Sequence, residues 1–163
     1  MLLMVMEGSV AATRTAAALH SALNLLTTSA STSTLDQQVL FLRPKSSLAT
    51  NGANCFEFLP ESSSLAFVTP HPESLLERIG IKYLDVDDIF PILLNLHLLP
   101  ELKCVVVDDL DSLVSTWAKK KLCVALTLSL PKVDRVIVTL ESSSSTSSRP
   151  LLPAFANRVV FKL

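Results

Sequence analysis

The segment LLMVMEGSVAATRTAAAL, residues 2–19, gives the first indication of a fold. Its beginning, residues 2–6, is an uninterrupted apolar run, which is typical of a strand covered on both faces in a parallel sheet. Residues 11–26 are rich in alanine and leucine, and their apolar positions recur at helical spacing. The sequence therefore predicts a strand, a short turn and a helix, which together form the first half of a βαβ unit.

The same alternation continues along the rest of the chain. Apolar runs predict further strands at residues 39–42, 81–84, 104–107, 135–140 and 158–163. Helices are predicted at residues 73–79, where Gly80 would end the helix, and at 89–98, 112–129 and 151–156. Strands that alternate with helices imply parallel connections. We therefore expect one α/β domain over residues 1–163, with a three-layer, mostly parallel sheet and flanking helices.

Composition excludes several classes of protein. The chain has 163 residues, of which 49% are apolar and 18% charged, whereas disordered chains are poor in apolar residues. No apolar run approaches the roughly 18 residues of a membrane-spanning helix, and no secretory signal is recognisable, so we expect a soluble intracellular protein with no membrane contact. The net charge of −1 produces no long-range field that attracts nucleic acid, so any DNA contact requires a local patch.

A candidate phosphate-binding loop follows the first predicted strand. The residues GSVAATRT, from Gly8 to Thr15, have the spacing of G-x-x-x-x-G-K-[ST] between a strand and a helix. Thr13 replaces the second glycine, and a left-handed backbone there would cost about 1–2 kcal/mol. Arg14 replaces the lysine, and its planar guanidinium does not reproduce a compact ammonium. We expect weak nucleotide binding or none, and the spacing alone leaves an ordinary strand-turn-helix open.

A carboxylate ends the clearest predicted strand, because Asp108 directly follows the run CVVV at residues 104–107. P-loop proteins place the carboxylate that holds the Mg²⁺ shell at such a position. Asp108 is therefore the candidate Mg²⁺ residue. The strand at 39–42 is followed by Arg43-Pro44-Lys45 and offers no carboxylate to orient an attacking water, an effect worth about 100- to 10,000-fold. We expect no efficient ATPase activity and assign no catalytic residue.

Two groups of residues are candidates for contact with DNA. One is the triplet Lys119, Lys120 and Lys121, for which a solvated helix face is the alternative interpretation. The other is the serine-rich loop at residues 142–149, where hydroxyl and amide donors of Ser142 and Ser145, together with Arg149, could follow a phosphate backbone. The aromatic share of 6% leaves few platforms on which bases of a single strand could stack.

The order of these pieces resembles the RecA-like P-loop core of the eukaryotic recombinase paralogues. Within that family, the chain is most similar to the small ATPase-like subunit that partners the SWIM zinc-finger protein of Shu complexes. The segments that carry the resemblance are LLMVMEGSVAATRTAAAL (2–19), VLFLRP (39–44), LLERIGIKYLDVDDIF (75–90), CVVVDDLDSLV (104–114) and RVIVTLESS (135–143). They span nearly the whole chain, and each is short.

The resemblance implies a nuclear regulator of homologous recombination in DNA repair. Such a subunit works in a heteromer with a recombinase paralogue or a SWIM-domain protein, contacts single-stranded DNA and helps the recombinase filament to assemble or remodel. It also implies that Gly8, Thr13, Arg14 and Thr15 occupy phosphate-loop positions, that Asp108 occupies the Mg²⁺ position and that residues 142–149 match a DNA-facing loop. The chain starts at its first core strand, so we expect no N-terminal helical domain and no self-assembly into filaments.

Two alternatives remain open from the residues. One is a small active P-loop nucleotidase or kinase that uses Arg14 and Asp108. The other is an α/β scaffold subunit of an unrelated complex, in which the loop match is accidental. Because of the departures at Thr13 and Arg14, we expect no bound cofactor, with ATP and Mg²⁺ as the alternative.

Overall fold

Six strands form a single sheet in the computed structural model, which describes residues 2–29, 38–47, 77–115, 118–142, 152 and 157–163. Every neighbouring pair of strands is parallel, and the strand order is β3-β2-β4-β5-β1-β6. The strands are β1 (Leu2–Gly8), β2 (Gln38–Pro44), β3 (Ile79–Leu84), β4 (Leu102–Val107), β5 (Arg135–Glu141) and β6 (Arg158–Lys162). The prediction of an α/β fold with a parallel sheet is confirmed, and the single domain over 1–163 stays a prediction.

Among the described residues, helices lie between β1 and β2, between β3 and β4 and between β4 and β5, and they cover both faces of the sheet. Helix α1 (Ala11–Ser29) follows β1, and α2 (Ile89–Leu94) follows β3. Two helices, α3 (Leu110–Leu113) and α4 (Lys119–Ser129), lie between β4 and β5. Short 3₁₀ turns at Leu96–Leu98 and Leu130–Lys132 extend α2 and α4.

Alternation along the strands creates a separate apolar core on each side of the sheet, because successive side chains point to opposite faces. In β4, Cys104 and Val106 pack with the apolar face of α1, while Val105 and Val107 pack with α2, α3 and α4. All four of these side chains are fully buried. The uninterrupted apolar run at 104–107 therefore forms a strand that is covered on both faces, as the sequence predicts, whereas the edge strands β3 and β6 are largely exposed.

Two helices end earlier than their apolar pattern predicts. The helix predicted at 89–98 ends at Leu94, since Asn95 leaves helical angles with its side chain bonded to the Pro91 carbonyl, and the chain continues as a 3₁₀ turn. The prediction of one helix over 112–129 is wrong, since Val114 takes extended angles between α3 and α4. The Asp87 carboxylate accepts hydrogen bonds from the backbone N–H and the hydroxyl of Ser115. These bonds satisfy the N–H of Ser115, which has no helical partner after the break at Val114.

Pairing with a neighbouring strand also overrides one predicted helix end. Ile79 and Gly80, predicted to end a helix, begin β3 and align with Val39 and Leu40 of β2. The backbone N–H of Val39 donates to the Arg78 carbonyl at 3.0 Å, which fixes this register. Residues 73–76 and most of the helix predicted at 151–156 lie outside the described residues.

Candidate functional site

A cleft of about 240 Å³ lies at the carboxyl ends of β1, β2 and β4. Ligands of open parallel α/β sheets bind outside this edge. The residues that line the cleft come from the start of α1, the end of β2 with the chain that follows it, and the turn after β4: Ala11, Arg14, Thr15, Arg43, Ser46, Ser47, Asp108 and Asp109. The structure thus brings Arg14, Thr15 and Asp108 to one cleft, while Gly8 and Thr13 do not line it.

Asp108 lies at the centre of a buried hydrogen-bond network. The hydroxyl of Thr15 is 2.9 Å from both carboxylate oxygens of Asp108. On β5, the Thr139 hydroxyl donates to Oδ1 at 2.8 Å, and on β2, Nε of Arg43 donates to Oδ2 at 3.0 Å. All four side chains are buried, each with no more than 6% of its surface exposed. The network therefore joins α1, β2 and β5 to the end of β4.

The charge of Asp108 is controlled by opposing effects. Burial raises the pKa of the Asp108 carboxyl above its ordinary value, because desolvation penalises the charged form. The positive charge of Arg43 and the hydrogen bonds from Thr139 and Thr15 lower the pKa and so act against burial, while the neighbouring Asp109 raises it further. Arg43 is thus the one cationic partner within salt-bridge distance that the described residues give Asp108.

Thr139 connects the two aspartates at the end of β4. Its hydroxyl donates to Asp108 and accepts a 2.7 Å hydrogen bond from the backbone N–H of Asp109. Asp109 has a φ of 51°, in the left-handed region that non-glycine residues seldom adopt. The hydroxyl of Thr139 therefore supplies a buried acceptor for the N–H of this left-handed residue.

The turn between β1 and α1 contains only Ser9 and Val10, since α1 begins at Ala11. Thr13 lies within this helix, and the only non-glycine residues with positive φ in the described part of the chain are Asp87 and Asp109. The strain that a left-handed Thr13 would carry is therefore absent. This corrects the cost assigned to Thr13 from the phosphate-loop spacing, and it agrees with the helix predicted from residue 11.

Gly8 lies in a tightly packed position and does not have a left-handed backbone. A Cβ atom at Gly8 would meet Cβ and the carbonyl oxygen of Leu163 at 3.3 Å, and Cγ of Arg14 at 3.4 Å. No described glycine has a positive φ. The carbonyl of Gly8 accepts hydrogen bonds from the backbone N–H of Ser142, at 3.0 Å, and from Nη1 of Arg14. Protein groups thus surround Gly8.

Arg14 is buried and turned towards the protein. Its side chain is 4% exposed, Nη1 donates to the Gly8 carbonyl, and Nη2 lies 3.8 Å from Oδ1 of Asp109. Nε has no hydrogen-bond partner within the described structure. Arg14 therefore neutralises Asp109 at one side of the cleft, as Arg43 neutralises Asp108 at the other.

These residues do not fit a nucleotide triphosphate with Mg²⁺ as they stand. The cleft is smaller than the roughly 300–1,000 Å³ of typical ligand pockets. The short turn before α1 leaves no extended loop of amides for phosphates, and the donors of Arg14 that would approach them are directed at Gly8 and Asp109. The Asp108 carboxylate, which would hold the metal, accepts hydrogen bonds from three side chains instead.

The lysines that are predicted to contact DNA, residues 119–121, lie in the first turn of α4, called the lysine turn below. Lys120 and Lys121 are exposed and Lys119 is half-buried. Burial raises the pKa of Asp111, while the hydrogen bond that its carboxylate accepts from the backbone N–H of Glu141 and the positive charge of Lys119 lower it. The lysine turn therefore lies near the exposed Ser142, where the serine-rich loop begins. Ser145 and Arg149 lie outside the described residues.

Sequence reasoning missed the roles of Arg43 and Thr139. The chain offered a signal for each: an arginine directly after an apolar run, and a hydroxyl residue inside the run RVIVTL at 135–140. The first signal was interpreted only as a missing carboxylate. Parallel register explains the contact, because Leu42 pairs with Val107, and the residues that follow them, Arg43 and Asp108, emerge side by side.

Other candidate chemistry finds no support in the described part of the chain. Burial raises the pKa of the Cys104 thiol to about 12, so this cysteine stays protonated and is a core residue. No group of three or more His, Cys, Asp or Glu side chains among the described residues could hold a metal ion. No helix in the described ranges is long and apolar enough to cross a membrane.

No protein-family model matches the chain, and no curated protein matches its sequence.

Proposed function

We propose that this protein is a RecA-like recombinase-paralogue subunit without efficient ATPase activity. It acts in a heteromeric complex that promotes or remodels recombinase filaments on single-stranded DNA during homologous recombination repair, in the nucleus. The partner is a recombinase paralogue or a SWIM-domain protein.

One observation carries the proposal: the Thr15 hydroxyl lies 2.9 Å from the Asp108 carboxylate although 93 residues separate them in the chain. The resemblance to the recombinase paralogues implies that a phosphate-loop threonine and a Mg²⁺ carboxylate belong to one site. The contact supports common descent with P-loop proteins, because an accidental motif match would not require these two residues to meet.

The loss of turnover is supported by what fills the site. Arg14 bonds to Gly8, Arg43 pairs with Asp108, and the turn before α1 is two residues long. No carboxylate follows β2 to orient a water, since Pro44 and Lys45 come after Arg43. We therefore expect hydrolysis of ATP at no more than the background rate.

The need for a partner is supported by apolar side chains exposed on α4. Val124 and Leu128 lie one helical turn apart and are 59% and 50% exposed, while Leu122, Ala125 and Leu126 of the same helix are buried in the core. Exposed apolar residues that adjoin on one face are typical of protein interfaces. In the proposed complex, this face of α4 contacts the partner.

Co-expression with SWIM-domain and paralogue partners tests this interface. Val124→Glu with Leu128→Glu should abolish co-purification, because two charges would be buried against the partner. Val86→Glu, at an apolar residue of similar exposure in the turn before α2, is the matched control and should leave the complex intact. A wild-type chain that forms no complex with any such partner would contradict the proposed function.

DNA contact is tested on the purified complex by titration with single-stranded DNA at several salt concentrations. Replacing Lys119, Lys120 and Lys121 by alanine should lower the slope of log affinity against log salt by about 2, since each lost phosphate contact on a single strand contributes about 0.7. Lys82→Ala, at an exposed lysine of β3, is the control. An unchanged slope would remove the lysine turn from the DNA-binding surface.

A further inference from the structure

The carboxylate of Asp108, which would hold a metal ion, is engaged by three side-chain donors. A carboxylate offers about four lone-pair positions on its two oxygens. Three donors occupy most of them: the one hydroxyl hydrogen of Thr15, which is shared between the two oxygens, the Thr139 hydroxyl on Oδ1 and Nε of Arg43 on Oδ2. Magnesium needs oxygen ligands in near-octahedral geometry at about 2.0–2.1 Å, and an ion at Oδ2 would meet the buried Arg43 guanidinium.

The register of the sheet places the backbone of Arg43 next to Asp108. The backbone N–H of Asp108 donates to the Leu42 carbonyl at 2.8 Å, which places the ends of β2 and β4 next to each other. The Arg43 guanidinium lies 6.0 Å from the ring centre of Tyr83, its neighbour in the register of β3. A cation within about 6 Å of a ring centre is attracted by the negative face of the ring. The guanidinium therefore lies between Tyr83 on one side and Asp108 on the other.

We propose that Arg43 takes the place of a divalent cation at Asp108, so that the guanidinium supplies the positive charge that a metal ion would supply there. The hydroxyl of Thr15 and the Asp108 carboxylate, which would share a metal ion in an active P-loop site, are joined directly, and Arg43 balances the charge. The protein keeps α1, β2, β4 and β5 assembled at this edge without metal or nucleotide. The inference goes beyond the proposed role in recombination, because it rests on these side chains alone.

An arginine suits this role better than a lysine or a bound ion. Its charge is permanent at every accessible pH, and it is more weakly hydrated than an ammonium, so burial next to a carboxylate costs less. A bound Mg²⁺ would place two positive charges beside the buried guanidinium, which the Asp108 carboxylate alone could not balance. The site therefore excludes the ion as long as Arg43 stays in place.

Binding of Mn²⁺, a probe for Mg²⁺ that is visible by paramagnetic resonance, tests the inference at pH 7. The wild-type chain should bind no Mn²⁺ that depends on Asp108. Arg43→Gln should gain one Mn²⁺ site, with an affinity at least tenfold higher than any Mn²⁺ binding by the wild type. The double variant Arg43→Gln with Asp108→Asn should lose that site, and Arg43→Lys, which keeps a cation, should not gain it. A folded Arg43→Gln chain that gains no site would overturn the inference.

The wild-type chain alone also decides the question if Arg43→Gln does not fold. The comparison is then between the wild type and Asp108→Asn in the same Mn²⁺ titration. Equal binding by the two supports the inference. One equivalent of Mn²⁺ bound by the wild type and lost in Asp108→Asn would overturn it.

Discussion

The buried cluster around Asp108 and the lysine turn at the start of α4 contain charges in opposite circumstances. In the cluster, Arg43 and Asp108 are almost fully buried and paired at 3.0 Å. In the lysine turn, three cations occupy the positive end of a helix dipole, which opposes each by about 0.3–1 kcal/mol, and two of them are exposed. In the first arrangement each buried charge depends on its partner, and in the second the positive surface costs some helix stability. Substitutions should therefore change folding in the first region and binding in the second.

The largest effect is expected for Arg43→Ala. It leaves a buried carboxylate without its cation, which typically costs about 3–5 kcal/mol of the free energy of unfolding. Urea denaturation at pH 7 measures this loss. In the double variant with Asp108→Asn, most of the stability should return, because no charge is then left unpaired. If the single variant lost less than about 1 kcal/mol of the free energy of unfolding, Arg43 would contribute no more to stability than a surface charge does, and the prediction would be wrong.

The effect of Arg43→Ala should also depend on pH. The pKa of Asp108 is raised in the folded protein, so the folded state binds this proton more tightly than the unfolded chain, and stability falls as pH rises from about 3.9 through the folded pKa. Removing Arg43 removes an effect that lowers this pKa, so the fall becomes larger and extends to higher pH. Denaturation curves from pH 4 to 7 should show a difference between variant and wild type that grows with pH. A constant difference would contradict the assignment to Asp108.

A smaller loss is expected for Thr139→Val, which keeps the shape and removes the hydroxyl. The substitution leaves the Asp109 N–H without its acceptor and Asp108 with one donor fewer, and we expect a loss of about 1–3 kcal/mol. Thr127→Val on α4 is the control, because its hydroxyl bonds only to a carbonyl in the preceding turn. Equal losses in the two variants would show that the Thr139 hydroxyl has no special role.

The smallest effect on folding is expected for the triple alanine variant of the lysine turn. Surface substitutions usually change stability by less than about 0.5 kcal/mol, and the removal of positive charge from a helix start favours the helix. Thermal and urea denaturation of the free chain measure this effect. A loss of more than about 1 kcal/mol would mean that these lysines belong to the fold, and the contrast with the Asp108 cluster would disappear.

Much of the fold could be predicted from the sequence because uninterrupted apolar runs, such as residues 104–107, are specific for strands buried on both faces. That Thr15 and Asp108 belong to one site was implied by the resemblance to P-loop proteins and not by the apolar runs. The role of Arg43 could not be predicted, since it depends on the register between β2 and β4, which shifts at Gln38 and Val39. The break at Val114 depends on Asp87, a partner from a distant part of the chain. Local apolar spacing contains neither piece of information.

The pairing of β6 with β1 has a practical consequence for labelling the protein. Because the two strands are parallel, Leu163 follows β6 at the edge where Gly8 ends β1, and its backbone N–H donates to the Glu7 carbonyl. A fluorophore attached through Leu163→Cys would lie beside the Arg14 side of the cleft, because Leu163 is next to Gly8, whose carbonyl binds Arg14. Such a label would report on ligands or partners that reach this end of the sheet.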